Sequence, residues 1–245
     1  MFLLLKDVSA GSLQHLLPIG IGIVFCISVI LFAKRRLNFK NRSLLFKGLG
    51  VFVAGTILLN HAFLIIIGDY DYRNDLPLWI CSFAGLLVPF FTFTRKFWMF
   101  EILLFWTLGG SIQGVITPNI SEGFPSFEYF RYWITHIFMF SIVFYSIVIF
   151  KMWPNFKSPL KSIVALQIYV ALIFLLNIVL KTNFFFLNAK PDFPSLLDYI
   201  ADWPYYIFII QLIIIPYFLL LYLPFYLLKK RRRKKITLQT TDSYP

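Results

Sequence analysis

Residues Phe127–Phe150 read FEYFRYWITHIFMFSIVFYSIVIF. The run is apolar and long enough to cross a bilayer, for which about 20 residues suffice. Its first half nonetheless carries Glu128, Arg131 and His136. Ionisable groups at such depth are costly and face a bundle interior, a water-filled cavity or a partner. On a helix, Glu128, Arg131 and Thr135 fall on one face through their three- and four-residue spacings. His136 lies about 100° further round, on a face shared with Tyr129, Tyr132, Trp133 and Phe140. The segment is therefore expected to separate a charge-pairing face, Glu128 with Arg131, from an aromatic face holding one imidazole.

The rest of the chain extends this pattern. Of the 245 residues, 59% are hydrophobic, 20% aromatic and only 14% charged, and the mean hydropathy is +0.77. Such values exclude an ordinary soluble domain and place the chain among all-α, polytopic helical membrane proteins. A membrane β-barrel would need shorter segments alternating apolar and polar residues, and none alternates in that way. The net charge of +12 raises nucleic-acid binding. The basic residues, however, lie between spans and in the tail, which is the pattern of retained cytoplasmic loops, so no nucleic-acid partner is expected.

About seven transmembrane helices are expected: Leu16–Ala33, Gly48–Ile67, Leu76–Phe93, Trp98–Thr117, Phe127–Phe150, Lys161–Leu180 and Trp203–Leu228. They form a single transmembrane domain, residues 1–228, followed by a basic tail, 229–245. Residues up to about Gln14 read as a short external segment. No basic region precedes the first apolar run, so the start does not read as a cleavable signal. The odd loops carry Lys34, Arg35, Arg36, Lys40, Arg42 and Lys47, then Arg95 and Lys96, then Lys151 and Lys157; the chain closes on KKRRRKK at Lys229–Lys235. The even loops are acidic, with Asp69, Asp71 and Asp75, then Glu122, then Asp192, Asp198 and Asp202. The positive-inside rule puts the N-terminus outside and the tail in the cytoplasm, as in a multi-pass protein of the plasma membrane. Membrane lipids are the expected partners, with anionic headgroups at the basic tail. The last external loop, Lys181–Asp202, holds Phe184–Leu187 and Leu196–Leu197, too short to span, and reads as a re-entrant or interfacial cap over the outer mouth.

Few residues offer chemistry. Asn74-Asp75-Leu76-Pro77 reads as the start of the third span, with Asp75 as cap and Pro77 in its first turn. Cys81 follows about one turn later, on a face with Ala84, Gly85 and Val88, small enough for close contact with other helices. At 1.5 Å per residue Cys81 and His136 lie roughly 7 and 13 Å below the outer ends of their helices, both in the outer half. A thiol next to an imidazole is a competent nucleophile. A lone buried cysteine, by contrast, is ordinarily an inert small hydrophobe, which is the reading for Cys26. A lone His136 serves equally as an interhelical hydrogen-bond partner. In the fourth span, Gly110-Ser111-Ile112-Gln113-Gly114 has the spacing of close helix packing, and Gln113 is placed to donate to a developing oxyanion. Glu101 lies toward the opposite side of the membrane. His61 is the reserve imidazole. No metal-type Cys/His spacing exists, and neither a metal nor a cofactor is expected.

Those same residues resemble a known family. Leu76-Pro77-Leu78 with Cys81, Glu101…Phe105-Trp106, Gly110…Gln113…Thr117-Pro118 and Phe124-Pro125…His136 resemble the bacterial YwaF-like integral membrane proteins. So do Thr182-Asn183-Phe184, Pro191, Ser195-Leu196-Leu197-Asp198 and Trp203-Pro204-Tyr205-Tyr206-Ile207. The likeness covers about Leu76 to Pro224, and the first two spans diverge. That family is similar in turn to the eukaryotic transmembrane-protein-164 acyltransferases, which remodel ether phospholipids and for which a Cys and a His are proposed. More remotely it resembles the androgen-induced-protein lipid hydrolases. Carried over, the cysteine after Leu-Pro-Leu is Cys81 and the histidine of the fifth span is His136. Trp79 stands where many relatives have His or Gln, and Asn188-Ala189-Lys190 replaces a more usual Cys-Arg-Lys.

The resemblance implies a membrane-embedded lipid acyltransferase or hydrolase using a Cys81–His136 pair on the outer-leaflet side. Arg131, Gln113 and Tyr132 are the expected substrate-binding residues, Arg131 through a lipid phosphate. The competing readings are a proton-coupled transporter and a non-catalytic assembly factor. Against the first, the two halves show no internal repeat.

Overall fold

The structure, a computed structural model, describes residues 8–191 and 196–241, apart from the side chains of 196 and 232–241. The described residues form a helical bundle of seven apolar helices: α1 (Leu13–Arg36), α2 (Phe39–Ile67), α3 (Ile80–Thr94), α4 (Phe97–Ile116), α5 (Phe127–Val148), α6 (Ser158–Leu180) and α7 (Tyr205–Thr241). Six are long and apolar enough to cross a membrane; α3, with 15 residues, is shorter.

The shortness of α3 has a local cause. A residue before proline is driven out of the helical region, and Leu76 adopts φ −52°, ψ 137°. Asp75 is thus not the cap of the span. It belongs to a single turn, Tyr72–Asp75, which Asp71 caps by accepting from the Arg73 backbone N–H. Asp75 accepts in return from the Asp71 N–H at 2.8 Å. Helix begins only after Trp79, whose side chain makes no cap bond.

Helix α2 packs on α3 and α5, α1 on α5, and α4 on α6, while α7 lies along α6 and the middle of α4. Glycines bring α2 and α3 together. A Cβ at Gly50 would stand 2.3 Å from Thr92 Oγ1, and one at Gly85 2.5 Å from the Ile57 side chain. Small residues at such points let helices approach where no hydrophobic effect drives them together.

The loops sort to two ends. At the basic end, Arg42 caps α1 by donating to the carbonyls of Ala33 and Lys34. Arg95 lies over the rings of Phe39 and Phe150. Glu101 is fully buried there, and its carboxylate accepts from Lys161 at 2.7 Å, Ser158 at 2.6 Å and Asn155 at 3.0 Å. This is the pairing a buried carboxylate requires, and it ties α4 to the loop before α6. At the acidic end, the Val8 N–H donates to Ile120 O, and Gln14 accepts from the Phe124 N–H. His15 accepts from the Gly11 N–H at Nδ1, which leaves its Nε2–H to donate to Val115 O at 2.7 Å. The turn Phe184–Phe186 packs on Trp79 at the same end, held by the buried Asn177, which bonds both the N–H and the carbonyl of Phe184. The segments expected outside thus touch one another. The first part of the capping loop, up to Pro191, lies on the bundle; Asp192 and Ser195 fall outside the described residues, as do the tail's side chains past Arg231.

The direction of the bundle in the membrane has a direct test. Single cysteines at Asn41, Glu122 and Asp242, challenged on intact cells with an impermeant thiol reagent, should label only at Glu122. Labelling at Asn41 without permeabilisation would reverse the orientation.

Candidate functional site

Three helices meet in a tight apolar layer formed by Gly85 of α3, Ile57 of α2 and Thr135 of α5. One turn toward the acidic end, the residues four positions away are Cys81, His61 and Arg131. The periodicity of the helices therefore places a thiol, an imidazole and a guanidinium above a common apolar floor. His136, one position beyond Thr135, turns toward α4.

Cys81 is in the first turn of α3 and partly buried; His136 is buried on α5. The two side chains lie within electrostatic and hydrogen-bonding reach of each other. The imidazole has one orientation open to it. Its Nδ1 is 2.8 Å from the carbonyl oxygen of Tyr132. A carbonyl only accepts, so Nδ1 carries the proton and Nε2 presents its lone pair. Tyr132 stacks on the ring at 4.3 Å between centroids, and its hydroxyl donates to Gly114 O at 2.6 Å. The face opposite the ring is backbone: a Cβ at Gly114 would stand 2.8 Å from His136 Nε2. The sequence-derived pair is thus brought together, and Tyr132 holds the imidazole.

The other expected residues are placed differently. Gln113 is exposed and donates to the Tyr217 hydroxyl of α7 at 3.2 Å, away from the thiol. Ser111 occupies the position beside Cys81 instead, with 3.5 Å between Oγ and Sγ. The reason is a turn of π-helix at Thr107–Ser111 within α4. The extra residue rotates the remainder of the helix, so that Ser111 and Gly114 face the pair and Gln113 does not. The Gly110–Gly114 spacing does serve close packing, as expected, but against Ile80 and His136.

Arg131 does not pair with Glu128. Glu128 accepts from the Ser121 hydroxyl at 2.7 Å and the Glu122 N–H at 3.2 Å, which folds it back on the loop. Among the described residues Arg131 makes no ion pair, and its buried Nε has no hydrogen-bond partner. It is within electrostatic reach of Cys81, His136 and His61, and of Asp75 and Glu128 at the mouth. His61 Nδ1 is likewise buried and unpartnered. The carboxylates within electrostatic reach of Arg131 bond to the loops instead, so its buried Nε is left without a hydrogen-bond partner.

Aromatic residues close the site toward the acidic end. Tyr169 of α6 donates to Leu78 O at 2.7 Å and stacks on Phe83. Trp79 is wedged among Phe184, Phe185 and Phe186. Cys26 is not among these residues. It lines an apolar groove of about 550 Å³ between α1 and α5, with Gly22, Trp133, Ile137 and Phe140. Ser111 and Tyr169 were not singled out by sequence. For Tyr169 no signal existed; for Ser111 the Gly109-Gly110 pair before it marked a place where the helix departs from regularity.

A sequence model of the TMEM164 family matches residues 10–222, a span that includes every residue of the site. No curated protein and no solved structure matches the chain.

Proposed function

The chain belongs to the TMEM164 family, and from that membership and the contact between Cys81 and His136 we propose that it is a membrane-embedded lipid acyltransferase or lipid hydrolase. The observation that carries the reading is the orientation of His136. Its Nδ1–H is held on Tyr132 O, so its bare Nε2 faces the side where a thiol proton can be taken.

The chemistry is that of acyl transfer through sulfur. Nε2 removes the Cys81 proton, and the sulfur attacks the carbonyl carbon of a lipid ester, moving the carbonyl electrons onto oxygen. The tetrahedral species collapses, breaking the bond to the ester oxygen, which leaves with the proton from Nε2. An acyl-thioester remains on Cys81. In the second half, a lysolipid hydroxyl or water gives its proton to Nε2 and attacks the thioester, regenerating the thiol. The positive-inside distribution supports a site on the outer-leaflet side. Arg131 supports a phosphate-bearing substrate. A buried ion without a partner costs several kcal/mol, and its fork matches phosphate oxygens two at a time. Tyr132 keeps the imidazole in register with the bound ester, while the basic tail attracts anionic headgroups on the other side.

The test is direct. Purified protein incubated with a phospholipid radiolabelled in its acyl chain should acquire label that neutral hydroxylamine removes, because thioesters are cleaved under conditions that spare most esters. A proton-coupled transporter or an assembly factor would acquire none. Wild-type protein that stays unlabelled across phospholipid classes, and releases neither lysolipid nor fatty acid, would remove the proposal.

A further inference from the structure

Ser111 is buried, and its hydroxyl has Cys81 Sγ as its hydrogen-bond partner. Serine within a helix commonly bonds back to a carbonyl one turn earlier, as Ser141 and Ser146 do in α5. Ser111 does not. The π turn at Thr107–Ser111 carries it to the thiol. A second group of donors points to the same place. Cys81 lies in the first turn of α3, whose N-cap Trp79 makes no side-chain cap bond. The N–H groups of a helix's first turn have no acceptor within the helix, and that end carries the positive pole of the helix dipole.

We propose that Ser111 is a catalytic residue of the Cys81 site, its hydroxyl donating to the sulfur before attack and to the carbonyl oxygen during it, alongside the free N–H groups opening α3. The inference rests on the acyl-transfer reading for its second half only. The first half concerns the sulfur and stands on the Ser111 contact itself. In the attack, the carbonyl π electrons move to oxygen as the sulfur–carbon bond forms. The Ser111 hydrogen bond passes from sulfur, which loses its negative charge, to that oxygen, which gains it. No proton leaves Ser111 at any stage. The π turn is then the device that puts a hydroxyl at the point of charge transfer, as such turns often do at functional sites.

Two measurements on the full chain, in a Cys26→Ala background, separate the two halves. The first is the rate of Cys81 alkylation by iodoacetamide at fixed pH, which forms no oxyanion. Ser111→Ala should slow it about tenfold, the size of one hydrogen bond to a charged acceptor. The second is the rate of acyl labelling from phospholipid, which should fall about 100-fold, since one lost oxyanion donor costs about 10²–10³. Ser111→Thr, which keeps the hydroxyl, should restore both rates to within about threefold. Unchanged alkylation in Ser111→Ala would overturn the sulfur contact. Equal slowing of both reactions would overturn the oxyanion role. Loss in Ser111→Thr as deep as in Ser111→Ala would reduce Ser111 to a packing residue. Absence of label in wild type, with alkylation still slowed by Ser111→Ala, would sink the acyl-transfer reading and the oxyanion role while leaving the sulfur contact in place.

Discussion

Cys81→Ala is expected to abolish hydroxylamine-labile acyl label and all lipid turnover, while His136→Ala leaves a residue of both. The difference comes from what each side chain supplies. Without Cys81 no atom in the layer can form the thioester: Ser111 and Tyr132 are neutral hydroxyls, and His61 has no sulfur to offer. Without His136 the thiol remains, and a small share of an ordinary thiol is thiolate near neutral pH, at a few per cent. Loss of a positioned base costs about 10²–10⁴ in rate, so His136→Ala should label slowly but measurably. Cys26→Ala should change nothing, because Cys26 lines the separate groove between α1 and α5. Thermal stability measured in parallel separates the two causes: activity lost at an unchanged melting temperature is assigned to chemistry. Label that survives Cys81→Ala would place the acyl group elsewhere and end the assignment.

How much of this was legible in the sequence differs from residue to residue. The spans follow from hydropathy, because only a helix satisfies its own backbone in lipid. Cys81 and His136 could be named because thiols and imidazoles are few, and both lie toward the acidic-loop ends of their helices. What failed depended on backbone and loop detail that hydropathy does not carry. The start of α3 was expected at Leu76, but Pro77 expels Leu76 from the helix, and Trp79 is fixed by Phe184–Phe186, from a distant part of the chain. The Glu128–Arg131 pair has ideal helical spacing. Ser121 and Glu122 nonetheless capture Glu128, because a loop hydroxyl and a free N–H offer it neutral partners without ordering a long arginine side chain. Gln113 and Ser111 exchange roles through one turn of π-helix, whose register shift cannot be read from hydropathy. Each correction moves a residue around its helix or along it by a turn; none moves a helix.

Gly114→Ala is expected to be as damaging as any change outside the pair itself. The added Cβ would lie 2.8 Å from His136 Nε2 and 2.8 Å from the Tyr132 hydroxyl, both inside van der Waals contact. Neither neighbour yields easily. The imidazole is tied at Nδ1 to Tyr132 O, one turn earlier on its own helix, and the tyrosine hydroxyl is tied to the carbonyl of Gly114 itself. Relief therefore comes by tilting the ring or by backing α4 away from α5, and either displaces Nε2 from Sγ. Overpacking of this kind costs about 1–3 kcal/mol of stability, which a bundle of seven helices survives. A shift of about 1 Å at a reacting atom, however, costs about 10²-fold in rate. The expected result is a folded, membrane-inserted protein whose acyl labelling falls about 100-fold and whose Cys81 alkylation also slows, since the base has moved from the thiol. Tyr132→Phe in the same background makes the control. It removes one of the two clashing atoms and should recover part of the loss. Full activity in Gly114→Ala would mean that Nε2 does not lie against α4 during turnover, and that the imidazole works from another position.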